Sequence, residues 1–436
     1  MAATEPPPLN LAVTMILRLD PDAPLAAGLD WRAWEELGAD AEGVKRYPGG
    51  DAGQYFAEHV ERVLFPASAE LDPDGSRAAA VPRGHRVEIH RMATRKRPET
   101  VIALDVDLAE VWSLTVGELH LRFAAIHLAA RGAFLAPRNP DPAEEVAAIK
   151  RCVYALGASR TPNEFEITID GERAPGPAAS LAGAFGAKLH PHWEDRRAVH
   201  AVLGGGFGEA AELPDSARQL AGLTSIGVLE AFGASSQALT VGPFEAAVAP
   251  DGIALLKASA GVPEASLLNL RSYWAEALLL GLAQLESMRD LNLRVAERGR
   301  DPAGAEIAAV YADWLVFRNL LWWSSPGLVR SPPRRLLAAF RAATGAEDNF
   351  RELEGDLDAY VSESRLRVSE AQRRALDNLQ IYGAALAVVA ALTAVAQVVL
   401  GGGAGTAVLV VLVVVILAIG GAAALWVSRR LEIEEA

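Results

Sequence analysis

Residues 381–400 read IYGAALAVVAALTAVAQVVL, and residues 407–427 read AVLVVLVVVILAIGGAAALWV. Neither run contains an Asp, Glu, Lys or Arg. Each is about 20 residues long, which is the length of helix that crosses a hydrocarbon core of roughly 30 Å. Because only residues 401–406 separate the two runs, the pattern predicts an antiparallel transmembrane hairpin and hence a membrane protein.

The charges beside these runs predict the orientation of the hairpin. Arg373 and Arg374 precede the first run, Arg429 and Arg430 follow the second, and the loop between the runs is uncharged. Since Lys and Arg collect on the cytoplasmic side, both flanks are expected there. The first residues, MAATEPPPLN, have neither the basic region nor the apolar core of a signal peptide. The predicted location is therefore the cell inner (plasma) membrane, multi-pass, with both termini in the cytoplasm.

Composition narrows the classes of partner. The single cysteine, Cys152, cannot build a disulfide framework and suits a reducing compartment. The net charge of −14 argues against duplex nucleic acid, because phosphate contacts need clustered Lys and Arg. Two interpretations of the acidic surface stay open: it keeps the protein soluble, or it concentrates cations near a pore.

The chain divides into four predicted segments. These are a cytoplasmic α+β domain (1–261), a helical bundle with a stalk helix (262–380), the transmembrane hairpin (381–427) and a cytoplasmic tail (428–436). In the first segment, patterns typical of strands occur at 11–19, 86–90, 101–106, 116–123, 164–169, 198–203 and 252–256. Patterns typical of helices occur at 54–64, 142–156 and 216–232, and 124–135 is ambiguous between the two.

One continuous helix is predicted from residue 346 to 400, since no proline and few glycines interrupt this stretch. Apolar or small residues recur along it at spacings of three and four, which marks a seam that needs helical partners; they are Phe350, Leu353, Leu357, Tyr360, Ser364, Val368, Ala371, Ala375 and Leu379. Shorter helices are predicted at 265–297, 302–323 and 334–343. The aromatic cluster Trp314, Phe317, Trp322 and Trp323 is interpreted as core packing rather than as a ligand platform.

Motifs that carry chemistry are weak. The glycines of residues 204–208 follow a predicted strand, but Glu209 stands where a dinucleotide fingerprint needs its last glycine. His190, His192, His200, Glu194 and Asp195 offer metal ligands without the spacing of a zinc site. We therefore predict no enzyme and no cofactor, and we assign no metal ligand.

The layout resembles that of CorA-type divalent cation transporters, the two-membrane-span family. The resemblance covers residues 267–430 and lies in the order of elements: helical bundle, stalk helix, first span, short loop, second span and a basic tail with Arg429 and Arg430. It implies a homopentamer whose first span lines a pore, most members conducting Mg²⁺. The family's Gly-Met-Asn motif is missing, because residues 400–406 read LGGGAGT. No selectivity residue is transferred.

A stripe of polar residues in and beside the first span predicts a pore. Asn378, Tyr382, Thr393 and Gln397 fall within an arc of about 100° on a helical wheel, and polar groups inside a membrane usually face a bundle interior or a water-filled path. The alternative is hydrogen bonding between packed helices. Two functions follow: a CorA-like, cation-conducting homo-oligomeric channel regulated by its cytoplasmic domain, or a membrane-anchored effector of the bacterial defence type that senses a small molecule and uses the hairpin as anchor and assembly platform.

Overall fold

The structure is a computed structural model, and its description covers residues 9–24, 30–33, 77–81, 84–91, 99–131, 156, 165–191, 200–206, 237–241, 244–250, 252–257, 269–298, 304–322, 331–400 and 415. The chain divides into two compact units, Met1–Leu357 and Asp358–Ala436, which are described separately.

The described residues of the first unit form one sheet of twelve strands. In chain order these are β1 (Leu9–Leu19), β2 (Arg32–Ala33), β3 (Arg77–Ala80), β4 (Arg86–Arg91), β5 (Glu99–Val116), β6 (Leu119–Arg131), β7 (Phe165–Ile169), β8 (Glu172–Arg173), β9 (His200–Gly206), β10 (Gln237–Val241), β11 (Phe244–Ala249) and β12 (Gly252–Lys257). The main order is β10-β11-β12-β9-β1-β6-β5-β4-β7-β8, and the short pair β2-β3 joins at β5. Only the pairing of β9 with β12 is parallel among these described strands.

The sheet is buried on both faces. Along β1, Ala12 and Ile16 lie in one hydrophobic core, whereas Val13, Met15 and Leu17 lie in the other. Successive side chains of a strand point to opposite faces, so this division follows from the pleat. A strand buried on both faces reads as a nearly continuous apolar run, which explains why β1 and β6 are so rich in Ala, Val, Leu and Ile.

Helices pack against both faces of this sheet. Helix α1 (Pro177–Ala184) belongs to the second core. A π-helical segment, Leu270–Trp274, leads directly into α2 (Ala275–Arg298), followed by α3 (Gly304–Leu320), α4 (Ser331–Thr344) and α5 (Ala346–Leu400). Side chains of α2, α3, α4 and the first turns of α5 make up the first core together with the facing side of the sheet.

Several sequence predictions are confirmed and one strand was placed wrongly. The continuous helix from 346 to 400 has the predicted bounds, and the α+β character of the first region is also as predicted. The predicted strand 116–123 has the wrong bounds: Gly117 and Glu118 form the turn between β5 and β6, and residues 119–123 belong to β6. The ambiguous stretch from residue 124 continues β6 as far as Arg131. The predicted helices 54–64 and 216–232, and 142–156 apart from Leu156, lie outside the described residues.

The predicted transmembrane hairpin is not supported. In the part of the chain that the structure describes, no helix has both the length and the apolar character required to cross a membrane. Residues 381–400 form no separate helix: they are the end of α5, whose preceding turns carry many charged side chains. The second run, 407–427, lies outside the described residues except for Val415. The predicted transmembrane hairpin, the predicted multi-pass location in the inner membrane and the predicted ion transport through a channel are therefore wrong for the described residues.

Candidate functional site

Ionisable side chains, most of them buried, lie between the sheet and the helices, and we call this set the ionic layer. The sheet contributes Arg18, Arg77, Asp107, Glu110 and His127, and the helical segment contributes Arg271, Glu276, Glu286, Arg289 and Asp290. They lie on the face of the sheet that packs against α2. Because taking a charge out of water is costly, each buried group needs a partner of opposite charge or a hydrogen bond.

The centre of the layer is a cluster around Arg77. One of its terminal nitrogens, Nη2, lies 3.0 Å from a carboxylate oxygen of Glu110 and 3.0 Å from one of Glu276, so a guanidinium on β3 joins β5 to α2. The guanidinium also lies over the ring of Trp112, 3.7 Å from the centroid. All three charged side chains are at least 97% buried. A single charge therefore ties two strands and a helix together.

His127 extends this cluster to the neighbouring strand. Its Nε2 lies 3.0 Å from the second carboxylate oxygen of Glu110, and its Nδ1 lies 2.8 Å from the hydroxyl of Thr14. The side chain is completely buried. Both ring nitrogens are thus occupied, so the imidazole has no free nitrogen with which to act on a substrate from solution.

Two further contacts tie α2 and the segment before it to the sheet. Arg18 of β1 bonds Glu286 and lies 2.5 Å from Asp290, one turn further along α2. Arg271, in the π-helical segment, lies 2.5 Å from Asp107 at an irregularity in β5. The contacts therefore extend from the π-helical segment along α2, and they set the position of the helix on the sheet.

The turn between β5 and β6 is held by α3. Asp313 accepts a hydrogen bond of 3.0 Å from the backbone N–H of Glu118, and its other oxygen lies 2.6 Å from Arg294 of α2. Gly117 has a φ of +63°, and a Cβ on it would collide with the Asp313 carboxylate. Glycine at this position provides the left-handed backbone and the room for Asp313.

A second polar junction lies where α2, α4 and the end of α3 meet. Arg341 donates to Gln284 over 2.9 Å and lies over the Trp322 ring at 4.4 Å, while Gln284 donates to the carbonyl of Leu321 over 2.6 Å. Burial lowers the pKa of Arg341 to about 10, so its guanidinium keeps its charge at neutral pH. Trp322 in turn stacks on Phe350 of α5 with ring centroids 4.5 Å apart.

The residues predicted as pore-lining lie on α5. Asn378 is half-buried, whereas Tyr382, Thr393 and Gln397 are exposed. The hydroxyl of Thr393 donates to the carbonyl of Val389, one turn earlier in the same helix. Helical geometry keeps the four on one stripe. Their role in a pore is not tested by the structure and stays a prediction.

The other motifs form no site in the described part of the chain. His192, Glu194 and Asp195 lie outside the described residues, and the described residues contain no group of His, Cys, Asp and Glu that could hold a metal ion. Gly204 to Gly206 end strand β9. Trp314 and Phe317 are buried in the first core, as predicted for the aromatic cluster.

Sequence reasoning missed the ionic layer, although a signal is visible in hindsight. Arg18, Glu110 and His127 each interrupt an apolar strand: they stand in MILRL, DLAEVW and AAIHLAA. Charged residues are rarely buried without partners, so three such interruptions indicate a shared polar layer. Their pairing with α2 could not be derived from this signal, because the partners are up to 272 residues apart in the chain.

No family model, curated protein or solved structure matches this chain. The resemblance to CorA-type transporters therefore stays a prediction from the layout of the sequence.

Proposed function

We propose that this protein is a non-enzymatic assembly protein, which forms homo-oligomers through the exposed face of α5 and holds its α+β domain rigid through the ionic layer. The observation that carries the proposal is the exposed apolar face of α5 in the second unit. We call it the α5 seam and define it as Val368, Ala375, Leu379, Tyr382, Leu386, Val389 and Thr393.

The α5 seam has the spacing of an interface between helices. From Ala375 onward its members follow one another at steps of four and three, which keeps them on one face of a helix that packs against others. Leu379, Tyr382 and Leu386 are each about two-thirds exposed. Large apolar side chains exposed in a continuous row usually mark a surface that another molecule covers.

The charged residues of this part of α5 lie on the opposite side. Glu370, Arg373, Arg374 and Asp377 are exposed, and on a helical wheel they fall outside the half that contains the α5 seam. Because both acidic and basic residues are present, this side of the helix does not favour a partner of either charge. The apolar face of α5 can pack against the same face of a second copy, which leaves the charged sides of both helices in water. A second copy of this chain is therefore the proposed occupant.

The first residues of the apolar row predicted along this helix, which precede the α5 seam, pack inside their own chain. Phe350, Leu353 and Leu357 lie in the first core of their own unit. A charge at Leu357 would therefore test folding rather than assembly. The test of assembly belongs at the exposed residues beyond it.

Replacing Leu379 with Asp tests the proposal. We expect the parent protein to be an oligomer and the Leu379→Asp variant to dissociate, because a carboxylate buried between helices costs about 3–5 kcal/mol, a weakening of roughly 100- to 5,000-fold. Sedimentation velocity and native mass measurements on the full chain would give the oligomer size of both, including whether the parent is the pentamer that the resemblance implies.

Leu366→Asp is the matched control. Leu366 is as exposed as Leu379, but it lies about 140° away on the helical wheel, outside the α5 seam. The control is expected to assemble as the parent does. A monomeric parent would contradict the proposal, and so would an oligomer that survives Leu379→Asp. Binding of a monomeric parent to phospholipid vesicles, lost in Leu379→Asp, would show that lipid rather than a second copy covers the face.

Cation conduction is not part of this proposal. It needs a segment that crosses a membrane, and no helix of the described residues is suited to that. The homo-oligomer predicted from the sequence is part of this proposal.

A further inference from the structure

We infer that two copies of this chain meet antiparallel along the α5 seam, with the contact centred near residue 384. This inference rests on the proposed assembly through the α5 seam and adds the direction of the partner helix. It departs from the pentamer that the resemblance implies, because neighbours in a ring of five identical copies cannot alternate in direction.

Polar residues interrupt the α5 seam towards the start of the helix. From Ala375 to Thr393 its members follow one another at steps of four and three, which are the a and d positions of a seven-residue repeat. The same repeat, continued towards the start of the helix, places Gln372 and Arg365 in a positions, and both side chains are exposed. The uninterrupted contact surface therefore covers residues 375–393, whose centre is residue 384.

Parallel packing would place Arg365 against a copy of itself. In a parallel pair of helices, each a or d residue faces the same residue of the other copy. Two arginines would then meet within the contact, and like charges in contact weaken association. In an antiparallel pair centred at residue 384, Arg365 lies beyond the end of the partner's α5, which stops at Leu400. Both arginines then remain in water.

The sizes of the side chains also favour the antiparallel direction. A parallel pair puts two alanines in the layer at Ala375 and two tyrosines in the layer at Tyr382, which leaves a gap in one layer and crowds the other. An antiparallel pair mixes the sizes: its layers join Ala375 with Thr393, Leu379 with Val389 and Tyr382 with Leu386. Because the centre of an interface packs as densely as a protein interior, the layers of mixed size fit better.

The charge of the first unit acts in the same direction. Residues 358–436 contain six arginines, no lysine and seven Asp and Glu residues, so thirteen of the fourteen excess negative charges belong to Met1–Leu357. A parallel pair brings the Asp358 ends of the two helices to about 10 Å from each other, the spacing of packed helices. An antiparallel pair separates them by about 80 Å, because a helix rises about 1.5 Å per residue. That distance is far beyond the screening length of roughly 8 Å at physiological salt, so the acidic units do not repel each other.

Double electron–electron resonance on the assembled full chain tests the direction. Ala371→Cys and Ala385→Cys are spin-labelled one at a time in a Cys152→Ser background. Both alanines are exposed beside the α5 seam, and they occupy the same position of the seven-residue repeat. We expect a short distance between copies, about 15–25 Å, for the label at Ala385 and a distance of about 40 Å for the label at Ala371. Both distances should disappear in the Leu379→Asp background.

The pair of labels distinguishes a wrong direction from a wrong interface. A parallel pair would give the same short distance at both positions, which would overturn the antiparallel direction and leave the proposed assembly standing. If the label at Ala385 gives no distance between copies, the copies do not meet through the α5 seam, and the proposed function fails together with this inference.

Disulfide formation provides a second measurement that needs no label. In the same Cys152→Ser background, the double variant Leu379→Cys, Val389→Cys should join two copies covalently, because the two positions face each other in the antiparallel pair. Leu379→Cys alone should leave the copies unjoined under the same oxidising conditions. Efficient joining by Leu379→Cys alone would show that each residue faces itself and would overturn the inference.

Discussion

Arg77→Met is expected to lower the free energy of unfolding by about 3–5 kcal/mol. The substitution keeps most of the side-chain volume but removes a positive charge that Glu110 and Glu276 share, and both carboxylates are buried. It also removes the cation from above the Trp112 ring. Urea unfolding followed by circular dichroism would measure the change.

Two variants separate lost charge balance from lost packing. Arg86→Met removes an arginine whose partner, Glu88, is partly exposed, and should cost less than about 1 kcal/mol. The triple variant Arg77→Met, Glu110→Gln, Glu276→Gln leaves no unbalanced carboxylate and should recover most of the stability. If Arg77→Met alone costs no more than Arg86→Met, the cluster does not hold α2 on the sheet.

Gly117→Ala is expected to lower the free energy of unfolding by about 2–5 kcal/mol. A left-handed backbone costs an alanine about 1–2 kcal/mol. The added Cβ would also push Asp313 away from the Glu118 N–H, and the lost hydrogen bond costs about 1–3 kcal/mol more. Thermal unfolding would show this loss as a lower midpoint temperature. Moving Asp313 would also disturb its contact with Arg294.

Gly171→Ala isolates the backbone part of that cost. Gly171 has a similar φ of +82° in the turn between β7 and β8, and a Cβ there meets no atom within 4 Å. The control should therefore lose only the backbone contribution. Equal losses at the two glycines would show that Asp313 moves aside without cost and that its contacts do not hold the β5–β6 turn.

The long helix was predicted accurately because its determinants are local. From residue 346 to 400 the chain lacks proline, and its residues favour a helix over many turns, so local propensity and hydrophobic spacing agree. Strand β5 was predicted only as far as residue 106. Its continuation to Val116 contains Asp107 and Glu110, which local patterns place in a loop or on a surface.

The same limit applies to the functional residues. Asn378, Tyr382, Thr393 and Gln397 were selected because they fall on one stripe in and beside an apolar run, and the helix that carries them has the predicted bounds. Arg77 and Glu276 gave no comparable signal. In the sequence each resembles an ordinary surface charge. Only the ion pair that they form when α2 packs on the sheet offsets the cost of burying them.

The sequence by itself determined that an α+β region precedes a helical region and that one helix runs from 346 to 400, since both depend on spacing and propensity within short windows. The tertiary structure alone decided that the sheet is buried on both faces, that Leu357 is covered by its own chain, and that ten ionisable side chains form one layer. These features depend on which distant residues meet. Whether a charged side chain is buried depends on its partner of opposite charge, and that partner can be distant in the chain: Glu276 is 199 residues from Arg77.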